Sequence, residues 1–158
     1  MSGTVSTALK FAAGLFLVLA LIGIAVNVFS PATDAAKIAQ TDFSNTTTEL
    51  KDQKYLVYDN TVISGSQVVN ALRKFESEGK SQTLGLYVET GKNSNGAGTW
   101  YYSAFDKASD SMTASSTTDL SNTKEVTNAK YINPSGMFDA VVERDSNGVI
   151  RAIKFVQQ

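Results

Sequence analysis

Few residues in this chain are suited to bond-making chemistry. Cysteine and histidine are both absent from its 158 residues. Thiol nucleophiles, imidazole bases, disulfides and the usual zinc or haem ligand sets go with them. Serine is abundant, but only lysine is left to take its proton, and no Ser-x-x-Lys is expected to open a helix. The run Gly91-Lys92-Asn93-Ser94-Asn95-Gly96-Ala97-Gly98 has the glycine content of a phosphate loop. Its lysine stands near the start and no Gly-Lys-Ser/Thr heads a helix, so it reads as a turn. Asp145-Ser146-Asn147-Gly148 shares letters with calcium loops, yet apolar residues occupy 149–155 where a further acidic ligand is needed. A hairpin explains it better. Asp106, Asp110 and Asp119 could gather a cation, although solvated acids on a polar loop require none. Trp100, Tyr101 and Tyr102 could stack on a sugar or a base; on a strand they face both ways, and packing is the commoner use. The chain is therefore expected to be no enzyme, with no cofactor, no metal and no small-molecule substrate.

Fourteen basic against fifteen acidic residues leave a formal charge of −1, too little to attract nucleic acid. With 42% apolar residues, the length suits one core of ordinary size.

The elements that must position anything begin with residues 11–29, FAAGLFLVLALIGIAVNVF, uncharged and with Asn27 as the strongly polar member. At about 1.5 Å per residue these nineteen positions cover roughly 28 Å, close to the ~30 Å of bilayer hydrocarbon. Leu9 extends the span slightly. Apolar side chains surround the axis, whereas a soluble core helix would keep a polar stripe. Ser30-Pro31-Ala32 offers small residues of the kind a signal peptidase cuts at, but the run is longer than a typical signal core, and an uncleaved anchor is expected. Lys10 precedes the span while Asp34 and Lys37 cancel after it, which predicts a cytoplasmic N-terminus and an extracytoplasmic remainder.

Beyond Pro31, Ala32, Ala36, Ala39, Phe43, Thr46 and Leu50 recur close to the helical repeat, so a continuous or kinked rod is predicted through about residue 54. Pro31 costs only one amide donor there. Residues 55–158 are expected to form an α+β domain: a strand pair or bent strand at 55–63, then a helix over 67–78 opened by a Ser64–Gln67 capping box and closed at Gly79. Strands follow at 83–90 and 99–105, with a polar excursion over 107–130. Asn147-Gly148 then supplies the tight turn of a C-terminal hairpin. The result is a small antiparallel sheet, of about four to five strands, covered by that helix and by the amphipathic part of the first.

This order of elements, an apolar helix continued by an amphipathic one and then a small sheet with a Ser/Thr-rich loop, resembles type IV pilins and pseudopilins. The resemblance is architectural and involves no diagnostic motif. Pilins usually carry a basic leader ending in glycine and an early glutamate; here Gly3 is followed by Thr-Val-Ser-Thr-Ala-Leu-Lys, and the first acid is Asp34. The resemblance implies a filament subunit whose apolar helix lies in the membrane before assembly and among its own copies afterwards. Ala8, Ala12, Gly14, Leu15, Leu19, Ala20, Gly23, Val26 and Phe29 would serve that membrane or helix–helix contact, the small ones by close approach. The competing expectation is a single-pass anchored accessory or binding domain of an envelope secretion or conjugation complex.

Overall fold

A computed structural model describes residues 1–93 and 97–158. It divides into two compact units, residues 1–49 and 50–158.

The first unit is helix. α1 runs as Ser2–Leu56, passes through Pro31 without interruption, and ends inside the second unit. The rod is thus continuous. Its polar side chains largely satisfy themselves on the preceding turn: the hydroxyls of Thr7, Thr33, Thr41, Thr46, Thr47 and Thr48 each donate to the carbonyl four residues back, at 2.8–3.0 Å. Asn27 Nδ2 does the same to the Gly23 carbonyl at 3.0 Å. Within an apolar run this matters, because an unpaired polar group in hydrocarbon costs several kcal/mol.

The second unit is α+β, as expected. After α1 come β1 (Thr61–Ser64), α2 (Gly65–Lys74), α3 (Glu76–Lys80), β2 (Gly85–Glu89), β3 (Thr99–Tyr101), β4 (Ser103–Asp106), β5 (Ser111–Ala114), a 3-10 turn (Ser121–Thr123), β6 (Met137–Arg144) and β7 (Ile150–Gln157). Among the described residues β1-β6-β7-β2-β3 form one sheet, in that order, and β4-β5 a second. The large sheet is mixed and not purely antiparallel: β2 pairs parallel with β7, from Gly85 opposite Ala152 to Glu89 opposite Val156. Its other three pairings are antiparallel.

α2 covers this sheet. Val68, Ala71 and Leu72 point from it into a core shared with Phe75, Leu84, Leu86, Val88, Phe138, Ala140, Ile153 and Phe155, each 1% exposed or less. Ser64 caps the helix: its Oγ accepts from Gln67 N and Gln67 Oε1 accepts from Ser64 N, the reciprocal box read from the sequence. α1 contributes to this core through its last turn, where Tyr55 packs 5.3 Å from the Phe75 ring; Tyr58, just beyond, lies 5.8 Å from Phe75 and 6.0 Å from Phe155. Farther back, the large side chains expected to cover the sheet are exposed, Phe43 by 75% and Leu50 by 62%.

Four local expectations change. Residues 55–60 finish the helix and turn, leaving only β1 as strand. The helix predicted to close at Gly79 divides at Phe75, and its second piece runs on to Lys80. The strand predicted over 99–105 is broken by Tyr102, which adopts φ 64°, so β4 leaves the large sheet to pair with β5. The C-terminal hairpin turns with positive φ at Gly148 alone and a register shift at Glu143/Arg144, a bulged turn in place of the two-residue type.

Candidate membrane and assembly helix

No side chain of α1 is buried. Among the described residues it is the one helix long and apolar enough to cross a membrane, with a mean hydropathy of 2.5 over its most apolar 18 residues. At Gly14 and Gly23 an added Cβ would meet open space, so neither glycine is required by the protein's own packing. By a helical turn of about 100° per residue, Ala8, Ala12, Leu15, Leu19, Gly23 and Val26 share one face, with Phe29 at its margin. Gly14 and Ala20 fall on opposite flanks of that face. The nine residues are therefore one stripe and two outliers. Leu15, Leu19, Val26 and Phe29 are 57–70% exposed.

The chemistry-bearing side chains among the described residues do not converge. Among the described residues no three acidic side chains gather as a metal site. Asp106 and Asp119 are each closed on local donors: Asp106 accepts from Ala108 N and Ser109 Oγ, Asp119 from Ser121 N and Ser121 Oγ. These bonds hold both carboxyls below the usual range, Ser109 and Ser121 being the main causes. Asp110 Oδ2 accepts from Ser146 N at 3.1 Å. Ser-x-x-Lys spacing does occur, at Ser77/Lys80 and Ser121/Lys124. Lys80 Nζ is held by Glu76 Oε1 at 2.5 Å and Ser121 Oγ by Asp119 Oδ2 at 2.5 Å, so neither pair is set up for proton transfer from serine to lysine.

Asp145 is held by three hydrogen bonds, and its partners are structural. Its Oδ1 accepts from Asn147 N and Val149 N, and its Oδ2 from Arg151 Nε, all at 2.9 Å. The Arg151 guanidinium, first among these, holds the carboxyl below its ordinary range. The turn resembling a calcium loop is thus spent on its own hairpin.

The aromatic cluster packs. Tyr101 and Tyr102 are buried, and burial pushes the Tyr101 phenol up to about 12. Trp100 lies 5.1 Å from the Tyr87 ring, and Lys154 Nζ stands 5.8 Å and 5.5 Å from the two rings. Ser94, Asn95 and Gly96 of the glycine-rich run lie outside the described residues. Its flanks are tied down: Gly98 N donates to the Tyr87 hydroxyl at 2.9 Å, and Lys92 Nζ donates to the Val126 carbonyl.

That last bond anchors the polar excursion, which is less free than its composition implies. Thr90 Oγ1 donates to the Ala129 carbonyl at 3.1 Å, Ile132 N donates to the Thr123 carbonyl at 2.9 Å, and Thr123 and Ile132 are buried. Nothing in the sequence signalled Thr123 as a core residue, since one threonine in a Ser/Thr-rich run stands out by neither type nor spacing.

At the end of α1, Lys54 Nζ meets Glu78 Oε1 at 2.6 Å, and Arg144 Nη1 meets Asp52 Oδ2 at 3.1 Å. The first contact raises the Lys54 pKa and lowers that of Glu78. Both pairs are partly exposed and contribute little stability, but they fix the helix end on α3 and β6.

No family model, curated protein or solved structure matches this chain.

Proposed function

We propose that the protein is the structural subunit of a pilus-like filament, held in a membrane by residues 9–29 before assembly and polymerising through α1 with residues 50–158 displayed outside. The observation that supports this reading is the helix beyond the apolar run. A tether needs only a span and a linker; α1 instead continues as helix through residues 30–49 without burying a side chain. Helices in water depend mainly on a packed face for their stability, and Thr46, Thr47 and Thr48 add little propensity. Copies of the same helix are the cover that a homopolymer supplies. The apolar portion satisfies its own backbone, so it can exchange lipid for like helices without exposing an amide. The second unit closes its own core and leaves no buried side-chain polar atom unpaired among the described residues, as a displayed domain requires.

Electron microscopy of sheared cell-surface material, with antibody raised against residues 50–158, tests the proposal. Labelled filaments are the expected result. Recovery of the chain solely as a detergent-extracted monomer would overturn it in favour of an anchored accessory domain.

A further inference from the structure

From Ala32 the apolar positions of the exposed half of α1 advance by four, three, four, three and four residues: Ala32, Ala36, Ala39, Phe43, Thr46, Leu50. Over this short stretch the mean step is 3.6 residues, that of a straight α-helix, and the strict alternation of four and three is the a/d spacing of a left-handed coiled-coil seam. Ala36, Phe43 and Leu50 take the a positions and Ala32, Ala39 and Thr46 the d positions. The b and f positions, on the far side, carry Asp34, Lys37, Thr41, Ser44, Thr48 and Lys51. Ile38, at a c position, is the one large apolar residue of this stretch off the seam. Continued toward the N-terminus the same step meets only apolar residues back to Ala8, but in the apolar run most registers would, so the argument rests on 32–50.

We infer that residues 32–50 form a parallel, in-register coiled-coil seam with the same residues of a second copy, the pair being the unit from which the filament is built. The inference rests on the reading of α1 as the self-associating element and adds its register and partner face.

Charge decides the orientation. Flanking the seam, the g positions hold Ala35, Asp42 and Glu49, and the e positions Thr33, Gln40 and Thr47. In a parallel pair each g faces the e position five residues on in the partner, so Asp42 meets the hydroxyl-bearing Thr47 and Glu49 meets the oppositely charged Lys54. An antiparallel pair would set g against g and bring the acids together, at a cost in Coulomb repulsion. Anchoring both copies by the same apolar end imposes the parallel sense independently. Thr46 suits a buried d position because its hydroxyl already donates to the Asp42 carbonyl at 2.8 Å, leaving its methyl for the seam. Thr33 and Thr47, at the margin, are satisfied likewise. Three alanines at successive seam positions let the backbones approach closely near the membrane, and Phe43 and Leu50 fill the wider end.

The absence of native cysteine makes the test direct. Single substitutions Ala39→Cys and Phe43→Cys on the seam, and Thr41→Cys and Thr48→Cys on the far face, are made in the full-length protein and oxidised in native membranes. Seam cysteines of an in-register pair come within the ~4.4–6.8 Å Cα separation that a disulfide spans, so at least ~fivefold more disulfide dimer is expected at 39 and 43 than at 41 and 48. Equal yields, a maximum at 41 or 48, or monomer throughout would overturn the inference. So would preferential mixed pairing between positions 36 and 43 in cells co-expressing the Ala36→Cys and Phe43→Cys proteins, since that marks a one-heptad stagger. Filaments with no seam preference would sink this inference and leave the polymer standing; a seam-specific dimer that never forms filaments would keep the seam and overturn both the polymer and the pair's place as its unit.

Discussion

Gly79 has no side chain because Tyr102 stands in its place: a Cβ on Gly79 would lie 2.7 Å from the Tyr102 Cβ and 2.8 Å from its Cδ2. Tyr102 in turn holds φ 64°, a conformation that L-residues rarely adopt. Its amide donates to the Thr117 carbonyl at 2.9 Å and its carbonyl accepts from Ser115 N at 2.8 Å. The contact therefore pins the point where the chain leaves the large sheet for the small one. Gly79→Ala is expected to destabilise the second unit by about 1–3 kcal/mol through overpacking, read as a lower denaturant midpoint. An unchanged midpoint would show that the ring moves aside at no cost.

Asp145→Asn should weaken the β6–β7 hairpin under neutral conditions, since an amide cannot match a carboxylate toward Arg151. Because Arg151 and the turn amides lower the folded pKa of Asp145 below its ordinary 3.8, its contribution is present above that value and lost as pH falls through the lowered one. Wild-type stability should therefore drop on strong acidification more steeply than that of the variant. Parallel acid titrations followed by circular dichroism check the difference.

Tyr101 contributes most to the alkaline limb, beside Tyr58, Tyr87 and Tyr102, whose phenols burial also pushes up. With its phenol raised from 10.0 to about 12 by burial, the unfolded chain loses this proton before the folded one does. The contribution of this group is complete below pH 10 and is lost from there toward about pH 12. Tyr101→Phe should flatten that decline with little effect at neutral pH. Denaturant midpoints measured at pH 8 and pH 11 make the comparison.

Substitutions in the apolar run should separate assembly from folding. Gly14 and Leu19 lie outside the 50–158 unit, so with Gly14→Leu or Leu19→Lys the far-ultraviolet spectrum and unfolding midpoint of that unit should be unchanged while filaments are lost. A tether would tolerate the glycine change, and abundant filaments from the Gly14→Leu protein would argue against close helix packing at that position.

What could be read from the sequence was whatever rests on local chemistry. The apolar run, the Ser64–Gln67 box and the final hairpin each declare themselves within a few residues, by hydropathy, by capping geometry and by a turn glycine. The β2–β7 pairing joins residues more than sixty positions apart, and no local pattern states whether two strands run parallel. Tyr102 could not be anticipated as a break, since a positive φ at a bulky aromatic is imposed by the partners Thr117, Ser115 and Gly79 and not by the residue itself. The helix face was the mixed case. The recurrence from Ala32 to Leu50 was visible, but of the two covers expected for the sheet only α2 serves, joined by Tyr55 and Tyr58, while Phe43 and Leu50 stay exposed.

The placement of β7 has a consequence for biogenesis. Residues 150–157 lie between β6 and β2, so neither the first half of the domain nor its β6 strand can be joined into one layer until this segment arrives. A nascent polypeptide would stay unlatched over most of this unit, and then lock in one late, cooperative event.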